Sequence, residues 1–168
     1  NSLKNTITCF EKYFNAKISP AYITLKRHYH YKREDISNEL FNNNFHNDAY
    51  ALTHFKAFIN LKDVSEEDGP MEIVSKNNTN KFIKKIKYKD RNDYQNNINV
   101  DEFIYKNVGK KYDCFFFDPT QCMHRATIPN KDHFRDVLAI TFVCLPNKLN
   151  IKDSLLNNLD IFEYKPNP

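Results

Sequence analysis

The chain has 168 residues, 40% of them hydrophobic and 14% aromatic, with a net charge of +4 and a pI near 8.8. That length and apolar content suit a single domain over residues 1–168 with a core of its own, and they exclude an intrinsically disordered chain. The charge is too mild to mark a nucleic-acid binder, no apolar run is long enough for a membrane helix, and no signal-peptide pattern is visible, so the expected partner is a small molecule, anionic ones included, met in the cytoplasm.

In chain order, residues 2 to 15 are expected to be helical. Leu3, Ile7, Phe10 and Phe14 recur at helix spacing, and Ser2 can cap the first turn. Pro20 ends that unit, and "AYITLKRHYHYKR" then alternates as a strand, with Lys26, His28, His30 and Lys32 on one face. "EDISNELF" reads as a short helix or turn. "THFKAFINLKDV" is a strand rich in β-formers, "SEEDGP" a turn and "MEIV" a short strand. Residues 75 to 97 are polar and Lys-rich and read as a long loop or lid, whose lysines, Lys81, Lys84 and Lys85 among them, form a solvated face. "NVDEFIY" and "YDCFFFD" are strands, "DPTQ" is a turn, and "CMHRATI" with "FRDVLAITFVCL" reads as a hairpin across "PNKD". Residues 150 to 159 are expected to form a last helix. Strands dominate without βαβ alternation, which points to a mainly β fold, a jelly roll with flanking helices. The cysteines form no CxxC pair, and Cys114, Cys122 and Cys144 lie among apolar residues, as small buried hydrophobes in a reducing compartment would.

Chemistry concentrates in "FHNDAY". On a strand, residues two apart share a face, so His46 and Asp48 would aim an imidazole and a carboxylate at one point. A third group follows in "DPTQCMHRAT", His124, and eleven residues later comes Arg135. In the expected hairpin, opposed positions place Arg135 on the face of His124. Two histidines and one carboxylate bind one side of an Fe(II) ion and leave positions open. A buried arginine beside them needs an anion, and its planar fork suits a carboxylate. His28 and His30 either line the same pocket or form the polar side of an edge strand. His54 and His133 read as surface or packing residues.

"FHNDAYALTHFKAFINLKDVSEEDGPMEIV" and "FFFDPTQCMHRATIPNKDHFRDVLAITFV" resemble, in this order, the two halves of the phytanoyl-CoA dioxygenase-like family of Fe(II)/2-oxoglutarate oxygenases. The resemblance covers roughly residues 40 to 145. It implies a double-stranded β-helix in which His46, Asp48 and His124 hold Fe(II) and Arg135 binds the distal carboxylate of 2-oxoglutarate, with His28 and His30 as further cofactor-binding candidates. It also implies a hydroxylase that consumes O2 and releases succinate and CO2. Two departures stand out: "SKNN" follows where the family often has a PGSH-like turn, and Ala126 stands where a hydroxyl residue is frequent. Asp48 speaks against the halogenases of this chemistry, which lack that carboxylate. Thr141 speaks against the AlkB-like nucleic-acid demethylases, which carry a second arginine there. Two other classes fit the motif, a non-redox cupin-like metal enzyme and a catalytically inactive jelly-roll binding module.

Overall fold

The structure is a computed structural model, and it describes residues 2–31, 43–48, 54–90 and 100–146. Its described residues fall into two compact units. One comprises those up to Ser19 together with 144–146; the other runs from Pro20 to Val143.

In the first unit the expected helix forms as α1 (Ser2–Phe14), with Ile7 and Phe10 half-buried. Glu11 accepts a hydrogen bond at 3.1 Å from the backbone N–H of Ile18, where the chain has turned into β1 (Ala16–Tyr29). Pro20 lies within this strand rather than ending a unit. β1 is the outermost strand of its sheet, the place where a residue without an N–H is tolerated.

The remaining strands are β2 (His54–Asn60), β3 (Met71–Val74), β4 (Ile104–Lys106), β5 (Cys114–Phe117), β6 (His124–Ala126) and β7 (Phe134–Pro146). They form two sheets, in the orders β1-β7-β2-β5 and β4-β3-β6. The fold is mainly β, and the registered pairs are antiparallel. β2 is central: Lys56 faces Phe117 on one side and Thr141 on the other, and Phe58 faces Phe115 and Ala139. Phe58 and Phe115 stack with centroids 5.4 Å apart. With Phe117 they pack on Met71, Ile73 and Cys122, so the inner faces of the two sheets share an apolar cluster. The opposite face of the four-stranded sheet carries Phe55 stacked on Phe142 at 5.0 Å.

Two expectations are corrected here. "CMHRATI" and "FRDVLAITFVCL" are strands but not partners: β6 pairs with β3, and β7 with β2, in different sheets. The expected lid is instead a helix over its first half, α2 (Lys76–Ile86), which follows Ser75 and buries Thr79, Phe82 and Ile86. These three lie at helical spacing. Phe82 and Ile86 join Phe45, Val74, Val100 and Met123 in a second cluster on the outer side of β3. Phe45 and Phe82 meet edge-on at 4.6 Å. The lysines of the run are exposed, as expected. "NVDEFIY" yields only Ile104 and Tyr105, the start of β4, after a 3-10 turn at Asp101–Phe103. Cys122 is buried and Cys144 half-buried, whereas Cys114 is exposed. The helices expected at 34–41 and 150–159 lie outside the described residues. Among the described residues no helix is long and apolar enough to cross a membrane.

Candidate metal centre

His46 and His124 are brought together by backbone pairing. The two residues exchange N–H···O hydrogen bonds, each 3.0 Å, as an isolated antiparallel bridge beside β6. Paired residues of this kind project their side chains to the same side, and the two rings lie 4.4 Å apart. The backbone N–H of Asp48 bonds the carbonyl of Pro119 at 2.8 Å, which keeps "HND" running along the β5–β6 connection. His46, Asp48 and His124 are all buried. Their donor atoms lie within 4.8 Å of one another. Asp48 Oδ1 stands 3.8 Å from Nε2 of His46 and 3.9 Å from Nε2 of His124.

Each imidazole is oriented by its other nitrogen. Nδ1 of His46 pairs with the carbonyl of Asn44 at 2.7 Å, and Nδ1 of His124 with that of Cys122 at 2.9 Å. A carbonyl only accepts, so each Nδ1 carries a proton, and in a neutral ring Nε2 then presents a lone pair. Burial, with His46 alongside, pushes His124 down to about 4, so its ring is neutral at pH 7. Burial pushes the Asp48 carboxyl up, but the hydrogen bond and charge of Lys56 outweigh it, and the carboxyl is held below its ordinary value. Two imidazoles and one carboxylate, with outer hydrogen bonds orienting the rings, are a ligand set for a divalent transition metal. The set fits iron.

Asp48 has a second side. Lys56 Nζ donates to its Oδ2, and His54 Nε2 lies 3.8 Å from that oxygen. His54 is buried, so it belongs to the packing around the site rather than to the surface. Sequence reasoning passed over Lys56. The available signal was a lysine inside the otherwise apolar "HFKAFIN".

Arg135 lies on the inner face of the four-stranded sheet, where β7 places it with Val137 and Ala139. It is 3% exposed. Its Nη1 donates to the carbonyl of Gly69, and burial lowers its pKa to about 10 despite the charge of Asp68. Asp68 itself is held well below the carboxylate range: burial opposes ionisation, but Lys62, the N–H and hydroxyl of Ser65 and His133 all bind it. Gly69 has φ +68°, and a Cβ there would stand 2.5 Å from the backbone nitrogen of Pro129. The turn "DGP" therefore requires glycine at this close approach.

His28 is half-buried. Burial first, then Arg135 and Lys26, depress it to about 4. It lines a cavity of about 390 Å³ with Lys26, Tyr31, Asn43 and Ala126. Ala126 is buried two residues beyond His124 on β6. His30 pairs through Nδ1 with the carbonyl of Pro129 at 2.8 Å. His133 is partly exposed and pairs with Glu67 and Asp68.

No family model matches the chain, and no curated protein matches it. Solved structures do. The non-heme monooxygenase ThoJ, in a Ni complex, aligns over 83% of this chain with a TM-score of 0.52 and 11% identity. AviO1 from Streptomyces viridochromogenes Tue57 aligns over 82% with 0.49 and 13%, and SnoN, a non-heme alpha ketoglutarate dependent epimerase from nogalamycin biosynthesis, over 97% with 0.46 and 15%. The chain spans 49% of ThoJ, 56% of AviO1 and 63% of SnoN. The fold is thus one that non-heme oxygenases use, and this example of it carries a buried His-Asp-His cluster.

Proposed function

We propose that the chain is an Fe(II)- and 2-oxoglutarate-dependent oxygenase, a hydroxylase of small molecules on a double-stranded β-helix of the phytanoyl-CoA dioxygenase-like kind. The observation that carries this reading is the pairing of two features between the same sheets. One is the triad His46, Asp48 and His124, buried with its donor atoms within 4.8 Å. The other is a buried arginine with one hydrogen bond, to Gly69, and no carboxylate in ion-pair contact among the described residues.

His46 and His124 bind the metal through Nε2, and Asp48 adds the anionic ligand. Bound iron with 2-oxoglutarate supplies the oxidation of a substrate C–H by O2, with succinate and CO2 as the other products. Arg135 takes the distal carboxylate, which gives its buried charge a partner. His28, neutral at pH 7 and beside Arg135, lines the cavity and shapes the way in. His30, already paired with Pro129, holds that wall in place. A non-redox cupin-like enzyme or an inert binding module has no use for a guanidinium at this depth.

The test is an anaerobic titration. The protein should bind one Fe(II) and then one 2-oxoglutarate, with the metal-to-ligand absorption band of a chelated oxo acid. Asp48→Ala should lose the metal. A parent protein that binds neither refutes the assignment.

A further inference from the structure

Resting on that reading, we propose that Lys56 is a second anion receptor of the site: it holds the metal-side carboxylate of the oxo acid while it fixes Asp48 as a one-oxygen ligand. Lys56 lies mid-strand in β2, flanked by Phe117 of β5 and Thr141 of β7. A lysine at a sheet edge can extend its head into water, but one between two neighbouring strands has less freedom to do so. Its side chain is 17% exposed, and Nζ donates to Asp48 Oδ2. An ammonium has three donors. No further hydrogen bond or ion pair of Lys56 is found among the described residues, so two donors remain beside the candidate ligand atoms.

The two oxygens of Asp48 have divided roles. Oδ1 faces the Nε2 atoms of His46 and His124 at 3.8 and 3.9 Å, while Oδ2 faces Lys56 and, at 3.8 Å, Nε2 of His54. A divalent ion taken up by Oδ1 leaves the ammonium on Oδ2, so two cations stand on one carboxylate. Their repulsion in a buried site is relieved by an anion that touches both. A 2-oxo carboxylate on the metal is such an anion. Arg135 points to the same ligand from elsewhere. It lies six residues before Thr141, the position opposed to Lys56, and on the same face of β7. Six residues of strand are roughly 20 Å between backbones. The two basic side chains thus rise from different levels of one face.

The experiment compares two oxo acids in the full chain, under anaerobic Fe(II). 2-Oxoglutarate has both carboxylates; 2-oxobutanoate has only the one next to the oxo group. Lys56→Met should weaken both by about ten- to a hundredfold, the loss of a charge-assisted hydrogen bond. Arg135→Met should weaken 2-oxoglutarate alone. Lys56→Arg should recover part of the affinity. Mn(II) binding, followed by electron paramagnetic resonance, should keep its stoichiometry in Lys56→Met. Should that variant fail to fold, Lys56→Gln serves in its place. If Lys56→Met titrates like the parent with both acids, or loses only 2-oxoglutarate, Lys56 is not the receptor, while the oxygenase reading stands. If it loses Mn(II), Lys56 serves Asp48 alone. A parent that binds no oxo acid removes both proposals together.

Discussion

Replacing Arg135 by methionine should separate stability from ligand binding. Burial lowers the guanidinium well below its ordinary value, to about 10, even with Asp68 nearby. At about 1.4 kcal/mol per unit, the folded protein bears roughly 3 kcal/mol for keeping this group charged. Methionine fills similar space without the charge. It leaves the carbonyl of Gly69 without this donor, a cost of about 1 kcal/mol. Asp68 keeps Lys62, Ser65 and His133 as partners, so it is not stranded. The net expectation is a ligand-free protein more stable by about 2 kcal/mol, in line with other replacements of buried charge by apolar groups. Binding should move the other way. Removing one partner of a desolvated charge pair costs about 2–5 kcal/mol, so the 2-oxoglutarate dissociation constant should rise by a factor of about 30 to several thousand. Urea denaturation of the ligand-free protein and calorimetric titration of 2-oxoglutarate measure the two quantities. A structural arginine would give the reverse pattern. An Arg135→Met variant that is less stable than the parent yet binds 2-oxoglutarate equally well would refute the reasoning.

His28 gives a pH signature. Folded, it stays neutral down to about pH 4 because of burial, Arg135 and Lys26; unfolded, it takes a proton near 6.5. The unfolded state therefore binds more protons between these values, and stability should fall as the pH drops from about 6.5 to 4. Denaturation at pH 7 and pH 5 should show a smaller loss in His28→Gln than in the parent, and equal losses would mean that His28 is not the group. Phe82→Ala should cost about 3–5 kcal/mol, because the ring is fully buried between Phe45 and Phe103, and circular dichroism on heating reads the loss. Gly69→Ala should cost more than about 2 kcal/mol, since it combines a positive φ with backbone atoms under 3 Å from the new Cβ. It should weaken 2-oxoglutarate while keeping Mn(II), because the carbonyl that orients Arg135 moves.

The parts legible in the sequence were those set by local pattern. Leu3, Ile7, Phe10 and Phe14 recur every three or four residues, and α1 follows them. "HND" with a later histidine names three groups that the structure gathers, because antiparallel pairing of residues 46 and 124 needs only two extended segments side by side. Partner choice was not legible. "PNKD" has the composition of a hairpin turn, yet the strands it joins enter different sheets, and nothing local says so. Arg135 still reaches the inner face, through its alternation with Val137 and Ala139 on β7 rather than by facing His124. α2 was hidden by its lysines and asparagines. Only Thr79, Phe82 and Ile86 mark its buried stripe, and a stripe that short is easily taken for a loop.

β2 shows why the site itself misleads a reader of alternation. His54, Lys56, Phe58 and Asn60 share one face of the strand, and Phe55, Ala57 and Ile59 the other. The usual inference sends the more polar face to water. Here His54 and Asn60 are buried, Lys56 and Phe58 largely so, and Phe55 and Ala57 are buried behind them. Both faces of the strand are covered, and the polar one looks into the space between the sheets, towards Asp48. Burying histidine, lysine and asparagine there opposes stability unless each finds a partner. Lys56 finds Asp48, and Asp48 is held ionised largely by Lys56. A polar inner face is thus costly for folding alone; in the proposed oxygenase it serves to hold a charged ligand, and the central strand of this sheet departs from the apolar pattern of a structural core.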